Sequence, residues 1–149
     1  MIDKNRINSK IIFINEKLED LTSIANLSEE DFKKDKRNMG SACYWLQTAI
    51  ESMIDIAQHI AVKENLIKSQ DFSSADFFES LCKKGIIAEK NLKKYRQMIK
   101  FRNRIVHLYQ QVSEDEVIKI LKQDLDDFKI FLREIAAYLI KLEKGPSPG

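Results

Sequence analysis

Isoleucine and leucine recur three and four residues apart along most of this chain, the spacing of an α-helix with one dry face. Ile7, Ile11, Ile14, Leu18 and Leu21 predict a first helix from Asp3 to Ala25. LSEEDF follows as a connector, with Ser28 a natural N-cap and Glu29, Glu30 and Asp31 suited to a helix's positive end. A long second helix is expected from Asp35 to Lys63, carrying Leu46, Ile50, Met53, Ile56 and Ile60 on a broad apolar face. KENLIKSQDF interrupts the pattern and reads as a loop. Ser73 caps a short third helix, Ser74 to Lys83, and Gly85 stands where a C-cap glycine would. Ala88 to Val106 forms the fourth, with Leu92, Tyr95, Met98 and Ile99 inward. Ser113 with Glu116 three residues on is a capping box, opening a last helix through Val117, Leu121, Phe128 and Leu132 to Glu143. The pattern predicts an all-α, up-down bundle of about five helices, one domain over residues 1–144.

Composition supports the helices. Both prolines, Pro146 and Pro148, lie in the last four residues, and Gly40 and Gly85 are the only glycines before Gly145. A chain so short of turn residues is poor material for β-hairpins. The closing GPSPG, residues 145–149, reads as a disordered tail. No run approaches the roughly 18 to 20 apolar residues that span a bilayer, and the N-terminus lacks a basic-then-apolar leader, so no membrane association and a cytoplasmic location are expected. Cys43 and Cys82 carry no CxxC spacing and read as small buried hydrophobes, with neither disulfide nor metal expected. Phe72, Phe77, Phe78, Phe128 and Phe131 are expected in the core, and Trp45 in the core or at its edge.

Charge is uneven. Lys83 to Arg104 holds nine cations against one anion, Glu89, a local excess larger than the whole chain's +2. Such a run is either a solvated helix face or a footprint for a polyanion, drawn by Coulomb attraction and counterion release. It leads directly into FRNRIVHLY, residues 101–109, where two arginines, an asparagine, a histidine and a tyrosine crowd together. On an ideal helix Arg102 and His107 stand about 140° apart. Either the helix frays near Ile105 and Val106, or the pocket gathers its groups from two copies of the chain.

Arg102-Asn103-Arg104-Ile105-Val106-His107-Leu108-Tyr109 fits the pattern Arg, four residues, His, one residue, Tyr. In that motif, in the LSEEDF connector, in AIESMIDIAQHI of the second helix and in the order of helices, the chain resembles HepT-type toxins of the HEPN superfamily over roughly residues 5 to 142. The resemblance implies a homodimer whose paired motifs face each other across one cleft, and a metal-independent endoribonuclease acting as the toxin of a type II or type VII-like toxin–antitoxin system. It implies a nucleotidyltransferase antitoxin as partner, RNA as substrate and no cofactor. Arg102 and His107 are then the catalytic pair. His107 is the general base for the ribose 2′-hydroxyl or the acid for the leaving oxygen, since an imidazole suits proton transfer near neutral pH. Arg102 meets the charge gathering on phosphorus. Asn103 and Arg104 are substrate-binding candidates, and Tyr109 is the hydroxyl that the antitoxin would modify with AMP. Asp55 is a further cleft candidate against its reading as a solvated helix residue, and His59 is expected to be structural. The alternative from a different class is a non-catalytic helical protein that serves a nucleotidyltransferase as its substrate-binding partner.

Overall fold

The computed structural model describes residues 1–67 and 72–145. The centre of the predicted loop and residues 146–149 of the predicted tail lie outside the described residues. Among those described there are seven α-helices and one 3-10 turn, not five helices: α1 Lys4–Ala25, α2 Glu29–Lys34, α3 Lys36–Lys63, α4 Ser74–Lys83, α5 Glu89–Leu108, the turn Tyr109–Gln111, α6 Glu114–Gln123 and α7 Asp126–Lys144.

Two local causes account for the added helices. The connector after α1 folds into α2 because Ser28 accepts the Asp31 N–H at 3.1 Å and Phe32 is buried. Asp35 then leaves helical geometry, with φ −124° and ψ 112°, and its carboxylate caps α3 by accepting the Arg37 N–H at 2.9 Å. The expected last helix divides at Asp124 and Leu125. Asp124, Asp126 and Asp127 are weak in a helix interior and favourable in a first turn, so they start α7 better than they would continue α6.

Four long helices close into an up-down-up-down ring, with the short ones as connectors. α1 and α3 run antiparallel, tied by Asp3 to His59 and by Lys10 to Asp55. α3 and α5 run antiparallel through Glu51 and Arg102. α5 and α7 do so through Lys94–Asp127 at one level and the N-terminus of α5 against Glu134 at another. Lys4 to Glu143 closes α7 onto α1. α3 is the centre, packing against α1, α2, α4, α5 and α6. Small Ala42, Ala49, Ala57 and Ala61 alternate along it with Leu46, Ile50, Met53 and Ile60, all buried.

Caps and aromatic packing fix the helix ends. α3 and α4 both finish in a Schellman turn. Asn65, at φ 56°, and Gly85, at φ 83°, hold the left-handed position, and the bonds Leu66 N–H to Ala61 O and Ile86 N–H to Leu81 O close the two motifs at 2.9 Å each. α5 begins at Ala88, which has no capping side chain; the Glu134 carboxylate of α7 accepts the Ala88 N–H instead and also takes the Tyr95 hydroxyl proton in a hydrogen bond. Tyr95, Phe78 and Phe131 pack in tilted and edge-to-face pairs with centroids 5.5 to 5.7 Å apart, joining α4, α5 and α7. Each such pair contributes about 0.5–1.5 kcal/mol beyond the area it buries. Of the five phenylalanines expected inside, four are buried and Phe72 is 37% exposed at the edge of the loop. Trp45 lies at the core's edge, Cys43 is buried and Cys82 is partly so.

His59 is structural, as expected: buried on α3, its Nε2 accepts the Asp3 N–H at 3.0 Å where α1 begins. That bond needs a neutral ring nitrogen, and burial first, then the charges of Arg6 and Lys63, hold its pKa below the usual 6.5. Unfolding therefore takes up a proton in acid. The contribution is fully present above about pH 6.5 and is lost as pH falls toward the folded-state value. Urea midpoints should drop between about pH 7.5 and 5.5 in the wild type and drop less in His59→Gln; equal drops would assign the acid lability to other groups.

Candidate functional site

α5 brings the motif to the end of the bundle where α3 begins. Phe101 and Ile105 are buried and anchor the helix, leaving Arg102 half-buried and Asn103, Val106, His107 and Leu108 exposed. The helix does not fray at Ile105 and Val106. It stays regular until Leu108, whose φ −138° and ψ 40° turn the chain into Tyr109–Gln111. Arg102 and His107 therefore remain on one unbroken helix and do not converge within the chain.

Arg102 is held in place by a small polar network. Its Nε donates to Glu51 Oε1 at 3.3 Å and its Nη1 to Asn103 Oδ1 at 2.9 Å, while Gln47 Nε2 donates to the same Glu51 oxygen at 3.0 Å. A guanidinium has five N–H groups. Two are spent on these bonds, and among the described residues both on Nη2 stay unpartnered. His107 is exposed and makes no hydrogen bond among the described residues.

Arg104 behaves differently. Its Nη1 donates to Glu116 Oε2 at 2.5 Å and its Nη2 to the Gln111 carbonyl at 3.3 Å, tying α5 to the turn and to α6. The neighbouring carboxylate raises its pKa further. Glu116 thereby forgoes half of the expected capping box: Ser113 Oγ accepts the Glu116 N–H at 3.1 Å, but the Glu116 side chain turns to Arg104. Glu116 Oε1 is buried and unpartnered.

Tyr109 is 45% exposed. Partial burial, then the proximity of Cys43 and Glu114, raises its phenol, so the hydroxyl stays protonated at neutral pH. Burial first and then Glu116 push the Cys43 thiol up to about 11, which keeps it inert. Asp55 is not drawn to the motif. It sits one turn beyond Glu51 and accepts from Lys10 Nζ of α1 at 3.0 Å. Sequence reasoning missed Glu51 and Gln47. The available signal was the i, i+4 spacing of Gln47, Glu51 and Asp55 along one side of α3.

The family model described as ribonuclease HepT-like matches residues 14–135. The mRNA nuclease HepT of Shewanella oneidensis is 34% identical over 106 residues, 71% of this chain and 78% of that protein. The tRNA nuclease HepT of Aphanizomenon flos-aquae is 26% identical over 138 residues, 93% and 92% of the two chains. Among solved structures, the tri-AMPylated Shewanella oneidensis HEPN toxin in complex with MNT antitoxin superposes with a TM-score of 0.80 at 30% identity, covering 89% of this chain and 97% of its own. YutE, a cytosolic protein of unknown function from Bacillus subtilis, superposes at 0.79 with 18% identity over 99% of this chain and 96% of its own, a likeness of fold alone.

The clamp predicts a local effect. Arg104→Ala leaves the Glu116 carboxylate with neither oxygen paired and frees the Gln111 carbonyl, so backbone amides from Tyr109 to Glu116 should exchange with deuterium faster while those of α3 keep their protection. Unchanged exchange across the turn would show that Val112 burial alone holds it.

Proposed function

The chain belongs to the ribonuclease HepT-like family, and from that premise we propose that it is a toxin ribonuclease, cutting RNA without a metal at a site built from Arg102 and His107 and neutralised by a nucleotidyltransferase antitoxin. The observation that carries this reading is the contrast between the two residues: Arg102 is oriented by Glu51 and Asn103 with donors to spare, and His107 stands exposed with no partner on the same helix.

The reaction suits those groups. The ribose 2′-hydroxyl attacks the adjacent phosphorus, His107 takes its proton, the P–O5′ bond breaks and the 5′ oxygen leaves, taking a proton from water. The products are a 2′,3′-cyclic phosphate and a 5′-hydroxyl end. Arg102 stabilises the dianionic phosphorane through its open N–H groups. Because the two residues face about 140° apart on one regular helix, a single chain offers half a site. A homodimer in which Arg102 of one copy meets His107 of the other completes it. The exposed Val106, Leu108 and Tyr109, with Tyr44 beside Cys43 on α3, supply the apolar surface such a pairing needs.

Two partners follow. Solved relatives are described as complexes of a toxin with an MNT antitoxin, and Tyr109, exposed at the end of α5, is the hydroxyl such an enzyme would join to AMP. The added bulk and negative charge would exclude RNA. Asn103, through its open amide, contacts substrate; Arg104 supports the turn that presents Tyr109.

Expressed alone, the wild type should stop growth and leave cyclic-phosphate ends on cellular RNA in lysates treated with a chelator. His107→Ala should do neither and keep the same oligomeric state by light scattering. Arg102→Ala should lower the cleavage rate about 10²–10³-fold. Full cleavage by His107→Ala would sink the assignment. On coexpression with the nucleotidyltransferase, intact mass should show adenylyl additions that Tyr109→Phe lacks.

A further inference from the structure

Beyond the reacting groups, we propose that one ridge of α5, formed by Lys93, Arg96, Lys100 and Asn103 and ending at His107, is a track for the backbone of single-stranded RNA next to the cleaved bond. The proposal rests on the ribonuclease reading of Arg102 and His107.

Positions 93, 96, 100, 103 and 107 step by three, four, three and four residues, which places them in one line on a helix. All five are exposed. At 1.5 Å per residue the line is about 21 Å long, room for about six nucleotides at the ~3.4 Å rise of a stacked strand. The two ridge lysines are not used in holding the bundle together. Three other cations of α5 are held by carboxylates: Lys94 by Asp127 at 3.6 Å, Arg102 by Glu51 and Arg104 by Glu116. Lys93 and Lys100 make no ion pair among the described residues, and Arg96 alone on the ridge is paired, with Glu79 of α4.

At the His107 end most nearby acids are already taken up, with Glu114 beside Tyr109 the exception. Glu89, the one acid on α5, is at the far end of the ridge. At the near end Glu116 is occupied by Arg104, and Asp115 by Lys33 at 2.6 Å. The ridge also lacks what a protein partner would use. No large apolar side chain is exposed between residues 89 and 105, whereas protein interfaces centre on apolar and aromatic anchors. A row of solvated point charges leading to a reacting histidine fits a phosphate backbone, recognised without regard to base.

The test separates the track from the reaction. Binding of a labelled single-stranded RNA of roughly twelve nucleotides is measured against salt with full-length His107→Ala protein, with and without Lys93→Gln and Lys100→Gln. The double lysine change should lower the slope of log affinity against log salt by about 1.4, or ~0.7 for each phosphate that a lysine no longer neutralises. With His107 intact, the same change should raise KM for long RNA and leave dinucleotide cleavage unaltered. An unchanged slope overturns the track, as does an equal loss of binding to polyglutamate, which would mark an acidic protein as the occupant. Cleavage by the wild type but not by His107→Ala is read separately, so failure of the ribonuclease reading and failure of the track give different results.

Discussion

The site depends on α5 remaining helical as far as Leu108. Ile105, buried in the middle of the motif, keeps the helix pinned to the bundle where a fray would otherwise begin. As long as it holds, Arg102 and His107 cannot meet inside one chain, and each is presented to whatever lies beyond the surface. The same regularity aligns the cations upstream of His107 and delivers Tyr109 at the point where the helix tightens into a 3-10 turn.

Packing against α3 decides which of the motif's polar groups are committed. The antiparallel pairing sets Glu51 opposite Arg102 and Cys43 opposite Tyr109. Glu51 and Arg102 are both partly exposed, so their attraction is worth about 0.2–1 kcal/mol. Its value lies in direction: it spends the Nε edge of the guanidinium and leaves Nη2 open. Arg104, two residues on, meets a carboxylate and a carbonyl from the turn and α6. Two arginines of the same motif thus meet different partners from geometry alone. His59 and Asp55, the other polar residues of interest, are bound to the first turns of α1 and belong to the frame.

The helical core was legible from periodicity because α1, α3, α4 and α5 each carry one apolar stripe, and that stripe has a single way to be buried. Ser28, Ser73 and Gly85 marked helix ends for the same local reason: their chemistry acts within three or four residues. The start of the long helix at Asp35 was legible, but the break at Asp124 was harder to read, since an aspartate-rich stretch carries no proline or glycine and keeps a helical spacing across it. The substitute cap at Ala88 left no local sign at all, because its carboxylate, Glu134, arrives from 46 residues away.

By itself, then, the sequence determined an all-helical chain, the wet and dry face of each helix and the presence of the Arg102–Tyr109 motif at a helix end, all of which follow from spacings of three and four residues. Tertiary structure decided the closed ring of four long helices, the commitment of Glu51 to Arg102, the diversion of Arg104 and Glu116 into a clamp and the assignment of Asp55 to α1. Each of those depends on which helix faces which, and that is fixed by the shapes of buried surfaces meeting across long separations in the chain.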